Sequence, residues 1–304
     1  TRKMLLTIIL LFLVAILIWW INDHQSYFKK RNVKYLKSIP FLGFLSDNLL
    51  GKKSGYDNFL DIYSRPEFQD EAFFGLFIFH KPALLIKDPE IIKKIMVTDF
   101  SSFGSRYAGS DVHDPIGYYQ LFMAKYPVWK TIRAKLSPFF SGSKLKAAYY
   151  LIDKLGNDLN QYIMQRLNND KVELELKPLT DLFFVDVVTT VAFGVEAHSL
   201  LNSGSEFQVA AKSIFKFTAW RGFELLSNFS LPQVMKYFNF KNMSHHTTDF
   251  LYKVTPVIIA EREKSGHKRN DLIDTLIELK NELKPEYEGH TIEDMLYAQV
   301  AIFL

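Results

Sequence analysis

The chain has 304 residues, of which 48% are hydrophobic, 15% aromatic and 23% charged, and its formal net charge is +4. This composition allows a large buried core, and it excludes a disordered chain and a nucleic-acid-binding protein defined by bulk charge. The sequence contains no Cys. Disulfide scaffolds, cysteine zinc sites, thiol nucleophiles and thiolate-ligated iron are therefore excluded within these residues.

The first strong feature of the chain is an apolar segment at residues 4–21, which has one hydroxyl and no charged side chain. A helix of this length rises about 27 Å, enough to cross the hydrocarbon core of a bilayer. Trp19 and Trp20 stand at its end, where indole rings prefer the headgroup region. A buried core helix and a cleaved secretory signal are the alternatives, but no polar face and no small-residue cleavage site are present. We predict that residues 1–21 form an uncleaved transmembrane signal anchor.

Positive charge is concentrated after this segment. Only Arg2 and Lys3 precede it, whereas five basic residues follow it: Lys29, Lys30, Arg31, Lys34 and Lys37. By the positive-inside rule, the rest of the chain faces the cytosol. We therefore interpret residues 22–50 as a basic juxtamembrane linker, and we expect the glycosylation sequons at Asn228 and Asn242 to remain unused.

The remaining sequence predicts a mainly α-helical protein with a small β-sheet. A hairpin is predicted over residues 72–79 and 83–86, and Asp88-Pro89 then opens a helix with an N-cap and a first-turn proline. Residues 101–126 show no periodicity, and irregular segments of that length are usually functional. Apolar periodicity predicts further helices at residues 127–138, 144–167, 179–193 (ended by Gly194), 207–220, 247–263 and 271–283.

The last helix is predicted to open at Thr291 with a capping box that includes Asp294. It becomes increasingly apolar toward Leu304 and meets no Gly, Asn or Pro that would end it. We therefore predict that the sequence is truncated inside a buried helix.

Trp129 and Arg133 are four residues apart on a predicted helix, so that they share a face. An indole N–H and a guanidinium that point the same way suit an anionic carboxylate ligand. From the spacing alone, an amphipathic core helix with a cation–π contact is the favoured interpretation. The residues alone leave both interpretations open.

Five stretches together resemble one protein family. They are residues 103–106 (FGSR), 129–146 (WKTIRAKLSPFFSGSKLK), 192–196 (AFGVE), 270–279 (NDLIDTLIEL) and 298–304 (AQVAIFL). The chain resembles the microsomal cytochromes P-450, in particular the insect detoxification families and the related vertebrate drug-metabolising group. The resemblance implies a mainly α fold with a small β-sheet, in which residues 51–304 are the N-terminal, incomplete part of a haem-binding monooxygenase domain truncated inside the central long helix.

The resemblance also implies roles for particular residues. Trp129 and Arg133 would bind the haem propionates, and Arg106 would be a further propionate ligand. Residues 101–126 would close over the substrate, and residues 206–262 would include the two helices that roof the substrate entrance. Lys130 and Lys135 would lie near the surface that docks an acidic reductase, although a plain solvated helix surface fits these lysines equally well.

The function implied is insertion of one oxygen atom from O₂ into a lipophilic substrate, with haem b as cofactor. Electrons would come from NADPH through a separate NADPH–cytochrome P-450 reductase, with cytochrome b5 as an optional partner and no nucleic acid involved. The protein would lie on the endoplasmic reticulum membrane and face the cytosol. Because the Cys ligand and the catalytic residues are expected beyond Leu304, this chain is predicted to hold no catalytic residue, to bind no metal and to be inactive alone.

Two alternatives remain open at the level of sequence. One is a non-catalytic, membrane-tethered helical protein that binds apolar ligands or partners. The other is a short, haem-free regulatory product of the same gene. The chain also departs from the family pattern at two places: Tyr126 stands where a Gly is usual, and the proline-rich hinge after the anchor is reduced to Pro40.

Overall fold

The computed structural model describes residues 5, 11–12, 15–16, 18–23, 26–167, 171–201, 204–214, 216–282, 286–287 and 290–304. Two compact units follow each other along the chain, residues 1–104 and residues 105–304. About half of the predicted anchor segment at residues 4–21 lies outside the described residues. Among those that are described, no helix is both long enough and apolar enough to span a membrane. The anchor therefore stays a prediction.

The first unit contains short helices and one hairpin. Its elements are α1 (Ser46–Leu49), α2 (Gly55–Tyr63), β1 (Phe73–Ile78), β2 (Lys81–Ile86) and α3 (Pro89–Lys93), followed by a π-helical turn at Lys94–Thr98. β1 and β2 pair antiparallel from Phe73↔Ile86 to Ile78↔Lys81, which confirms the predicted hairpin. Asp88 accepts a hydrogen bond from the Ile91 backbone N–H at 2.9 Å, which confirms the predicted helix start.

The second unit is almost entirely helical. Its elements are α4 (Pro115–Tyr119), α5 (Val128–Leu136), α6 (Gly142–Met164), α7 (Leu176–Val188), α8 (Glu206–Ile214), α9 (Ala219–Ser230), α10 (Met235–Phe238), α11 (His245–Ser265), α12 (Leu272–Glu282), β3 (Glu286–Tyr287), β4 (His290–Thr291) and α13 (Ile292–Phe303). β3 and β4 form a short antiparallel pair just before α13. The mainly α fold with little β-sheet is thus confirmed.

The prediction of one helix over residues 207–220 was wrong. α8 ends at Ile214 and α9 begins at Ala219. Thr218 is extended between them, and its hydroxyl accepts the Arg221 N–H at 3.1 Å. A side-chain hydroxyl that satisfies a free N–H starts a new helix rather than continuing the old one, and apolar periodicity alone does not reveal this break.

The core of the second unit surrounds α13. Met295, Leu296, Ala298 and Ala301 are each at most 2% exposed, and α4, α11 and α12 pack against the helix. The predicted capping box is present, because the Thr291 hydroxyl accepts the Asp294 N–H while the Asp294 carboxylate accepts the Thr291 N–H, both at 3.2 Å. The structure therefore confirms a buried helix in this part of the sequence.

Gly194 ends the helical stretch of α7 as predicted, after a π-helical turn at Thr189–Phe193. Its φ of +70° lies in the left-handed region, where a Cβ is unfavourable. A Cβ at this position would also lie 3.0 Å from Asp271 Oδ2. Glycine is thus favoured here for two reasons: the backbone at the helix end is left-handed, and an ion pair lies close to the Cα.

That ion pair connects α11 to α12. Arg262 donates to both carboxylate oxygens of Asp271 at 2.8 Å and to Asp274 at 2.7 Å. The guanidinium and the Asp271 carboxylate are 9% and 5% exposed. We refer to Arg262, Asp271 and Asp274 as the arginine clasp.

Candidate functional site

Helix α5 places Trp129 and Arg133 at the edge of the core. Ile132 and Leu136 anchor the helix, being 0% and 1% exposed. Trp129 is half-buried and packs against the core cluster, whereas Arg133 is exposed. The spacing of four residues puts both side chains on one side of the helix, next to the buried stripe.

The guanidinium of Arg133 has no partner within the part of the chain that the structure describes. Only its backbone is engaged, since the carbonyl accepts the Ser137 hydroxyl at 2.6 Å. Arg133 makes no cation–π contact with a described ring, and the structure therefore does not support the cation–π alternative. A guanidinium fork beside an indole N–H is a donor set that fits a carboxylate such as a haem propionate.

Arg106 is positioned differently. Its Nη1 donates to the Phe122 carbonyl at 3.1 Å, and the guanidinium carbon lies 4.8 Å from the centre of the Phe122 ring. The side chain is exposed, and its other N–H groups bind no described residue. Its role as a further propionate ligand stays a prediction.

The segment that contains Arg106 closes on itself. The Lys125 ammonium donates to the carbonyls of Arg106 and Ala108. One residue on, the Tyr126 N–H donates to the Ser105 hydroxyl at 3.1 Å. Burial lowers the pKa of Lys125, and the charge of Arg106 lowers it further. Residues 105–126 therefore form an ordered loop that contains α4, rather than the wholly irregular segment predicted.

Sequence reasoning missed Lys125, because nothing in its local pattern shows that it binds carbonyls far along the chain. It also missed Gln299, whose side chain binds the same loop from α13. The available signal for Gln299 was a single amide in the otherwise apolar run from Met295 to Leu304. A lone polar residue on a buried helix needs partners.

Lys130 and Lys135 are both exposed on α5, and the Lys130 ammonium lies 6.0 Å from the centre of the Tyr126 ring.

Elsewhere in the second unit, a cavity of about 480 Å³ lies beside α7 and α8. Its apolar lining includes Phe184, Val188 and Ala211. No pattern in the sequence predicts this cavity.

Comparisons with known proteins agree on one family. Residues 39–304 match the sequence profile described as Cytochrome P450. The chain is 36% identical to Probable cytochrome P450 6g2 of Drosophila melanogaster over 316 residues, which cover 99% of the chain and 60% of the fly protein. It is 36% identical to Cytochrome P450 6k1 of Blattella germanica over 84% of the chain and 48% of that protein. Cytochrome P450 9e2 of the same cockroach is 34% identical over 92% of the chain and 55% of its own length.

The chain thus spans about 60% or less of the length of these relatives. The profile match extends over both units and includes the helix that carries Trp129 and Arg133. Because this match covers most of the chain and the fold is mainly helical, the chain belongs to the cytochrome P450 family.

Proposed function

We propose that the full-length protein containing this chain is a haem-dependent monooxygenase of the insect detoxification type, which acts on lipophilic substrates. The observation that carries the proposal is the exposed Arg133 guanidinium, with no described partner, beside Trp129 in a chain of this family. When bound, haem b supplies the oxygen-activating chemistry, with electrons from NADPH delivered by a separate reductase.

In that scheme, the residues of this chain would bind the haem and enclose the substrate. The Arg133 guanidinium and the Trp129 N–H would hold the propionates, with Arg106 as a further donor. The loop at residues 105–126 would close over the substrate, since α4 packs directly on the central helix α13. Because these residues include no Cys, the thiolate ligand of the iron would come from outside them.

Exposed positive charge on α5 supports the proposed redox partners. Lys130 and Lys135 project into solvent from α5, and an acidic reductase would find complementary charge there. Cytochrome b5 would be an additional electron donor on the same surface. Charged rim residues mainly affect the association rate, so that the two lysines would speed reductase docking.

The location we propose is the endoplasmic reticulum membrane, with the haem-binding domain facing the cytosol. The second unit exposes a cluster of large aromatic side chains near α9 and α10: Phe217, Trp220, Phe229, Tyr237 and Phe238, which are 47–72% exposed. Aromatic rings with basic neighbours such as Lys236 suit the membrane interface. The exposed apolar side chains of the predicted anchor, such as Trp19 at 67%, support the same location.

One observation favours the non-catalytic alternative. The cavity of about 480 Å³ beside α7 and α8 is mainly apolar and large enough for a small lipophilic ligand. A membrane-tethered protein that binds apolar ligands would need such a cavity and no haem.

A difference spectrum separates the two functions. The full-length protein in microsomes, reduced and exposed to carbon monoxide, should give the band of a thiolate-ligated haem. With reductase and NADPH it should dealkylate 7-ethoxycoumarin, a lipophilic probe. A protein that binds no haem but binds 8-anilinonaphthalene-1-sulfonate would refute the monooxygenase and support the alternative.

A further inference from the structure

Gln299 is the polar residue at the centre of the buried run of α13. Its side chain is 0% exposed. The Nε2 group donates to the Tyr119 carbonyl at 2.7 Å and to the Met295 carbonyl at 3.0 Å, and Oε1 accepts the Leu121 N–H at 3.2 Å. Every donor of this amide is used, and two of its three bonds go to the backbone of the loop.

The pattern of bonds requires an amide. The Tyr119 carbonyl needs a hydrogen-bond donor, and the Leu121 N–H, two residues further along the chain, needs an acceptor. A side-chain amide supplies both. Glutamate offers no donor when ionised, and leucine offers neither group. An unsatisfied backbone group at this depth is costly, so that Gln299 favours the register in which the Tyr119 carbonyl and the Leu121 N–H both bind its side chain.

The opposite side of α4 is fixed by a second set of buried polar groups. Asp114 accepts the Asn242 N–H at 2.7 Å and the Ser110 hydroxyl at 2.8 Å, and Gln120 donates to the Asn242 side chain. Gly117 allows this approach, since a Cβ there would lie 2.6 Å from the Asn242 Cβ. The short helix is therefore held between α13 and the turn before α11.

Phe122 directly follows Leu121, whose backbone N–H is bound by Gln299. The Phe122 ring is 46% exposed, lies 6.0 Å from the Phe229 ring of α9, and carries the Arg106 guanidinium on its face. A shift of the backbone at Leu121 would move this ring and its contact with α9. One amide in the core is thus connected through the Leu121 backbone to an exposed aromatic side chain of the loop.

We propose that Gln299 is a positioning residue that sets the selectivity of the enzyme, because it fixes the loop at Tyr119 and Leu121 and thereby places Phe122. The inference rests on the proposed function, since selectivity presupposes a substrate held under this loop. It goes beyond that function by assigning a specificity role to a residue that does not itself face solvent.

The test uses the full-length protein with Gln299→Leu and Gln299→Glu. The matched control is Asn58→Leu, which also removes a buried amide, one that binds the Phe44 carbonyl at 2.9 Å in the first unit. Each protein is titrated with a lipophilic probe that has two oxidisable positions, such as testosterone. The readouts are the ratio of products, the spectral dissociation constant and the reduced carbon monoxide spectrum.

Gln299→Leu should change the product ratio at least threefold and weaken probe binding about tenfold, while the carbon monoxide band persists. Asn58→Leu should leave the ratio unchanged. An unchanged ratio in Gln299→Leu, with haem retained, overturns the proposal. Absence of the band from the unsubstituted protein instead refutes the proposed function.

If both Gln299 variants fail to fold, hydrogen exchange of the unsubstituted protein still tests the proposal. The Leu121 amide should exchange as slowly as the buried amides of α13, because Gln299 is its acceptor. If it exchanges as fast as an exposed loop amide, the positioning role is wrong. In a folded Gln299→Glu variant, faster exchange over residues 117–123 but not over α5 would support it.

Discussion

Arg262 and Arg133 lie in the same unit of the chain but in opposite environments. The Arg262 side chain is 9% exposed, and two aspartates bind its guanidinium with three hydrogen bonds of 2.7–2.8 Å. Arg133 is exposed, and no residue in the described part of the chain binds its guanidinium. One arginine is satisfied by the fold, whereas the other offers its donors to something else.

The comparison separates structural charge from functional charge. A buried cation without its partner is strongly unfavourable, so that the arginine clasp must form whenever α11 and α12 pack. An exposed cation loses little by staying unpaired, and its fork geometry remains available for a carboxylate. Substitutions at the two sites should therefore affect different quantities.

The largest effect is expected for Asp271→Ala. The change removes two of the three hydrogen bonds to the Arg262 guanidinium and leaves it with Asp274. Because a hydrogen bond to a charged group contributes about 1.5–3 kcal/mol, we expect a loss on the order of 3 kcal/mol of unfolding free energy. Urea unfolding of the full-length protein, followed by tryptophan fluorescence, measures it. The control is Asp153→Ala, an exposed carboxylate on α6, which should change stability by less than about 0.5 kcal/mol. A loss below about 1 kcal/mol at Asp271 would mean that the clasp is not structural.

Arg133→Ala should lower haem affinity and leave the apoprotein unchanged. A hydrogen bond to a charged group contributes about 1.5–3 kcal/mol, or roughly tenfold to a hundredfold in affinity. Arg133→Lys should recover part of the loss, because the charge remains but the fork does not. Haem per mole of protein is measured as the pyridine haemochrome. Lys146→Ala, an exposed cation on α6, is the control, and full haem content in Arg133→Ala would contradict the assignment.

A smaller effect is expected from acid. Burial alone would raise the pKa of Asp274, but hydrogen bonds from Arg262 and from the N–H groups of Asn270 and Arg269 outweigh it, so that the pKa lies below its ordinary value of 3.8. A carboxyl with a depressed folded pKa stabilises the fold above its unfolded pKa, and this is lost as pH falls through the folded value. Unfolding free energy should be level near neutrality and drop below about pH 4. Asp274→Asn should reduce that drop, whereas an identical acid profile would contradict the role of the carboxylate.

The smallest effect, none at all, is expected at the native sequons. Asn228 is 0% exposed and donates to the Glu224 carbonyl at 3.1 Å, and Asn242 is 7% exposed. Both should stay unmodified because we expect them to face the cytosol, and a new sequon on an exposed turn provides a second test of the topology. Lys52→Asn completes one with Ser54 on an exposed turn.

In a microsomal translation assay the Lys52→Asn chain should remain unglycosylated and resist alkaline extraction. Replacing residues 1–21 by a cleavable secretory signal should then produce a glycan at position 52, which provides the control. A glycan on the chain with its own residues 1–21 would overturn the cytosolic orientation.

Local features were predictable where a pattern repeats or a cap stands beside it. Asp88 and Thr291 cap the helices that follow them, and Gly194 ends the stretch begun at α7, because each acts within four residues of its own position. Trp129 and Arg133 share a face for the same reason. The break at Thr218 was missed because a threonine inside a periodic run looks like any other helical residue.

The sequence by itself determined the mainly helical fold, the pairing of β1 with β2 and the face that carries Trp129 and Arg133, since all of these depend on contacts between near neighbours. Only the tertiary structure decided which polar groups meet: Arg262 with Asp271, Lys125 with the Arg106 carbonyl, and Gln299 with Tyr119, which is 180 residues away. The reason is physical. A buried donor needs an acceptor, but that acceptor can lie at any distance along the chain. The partner of each donor is therefore decided only when the helices pack.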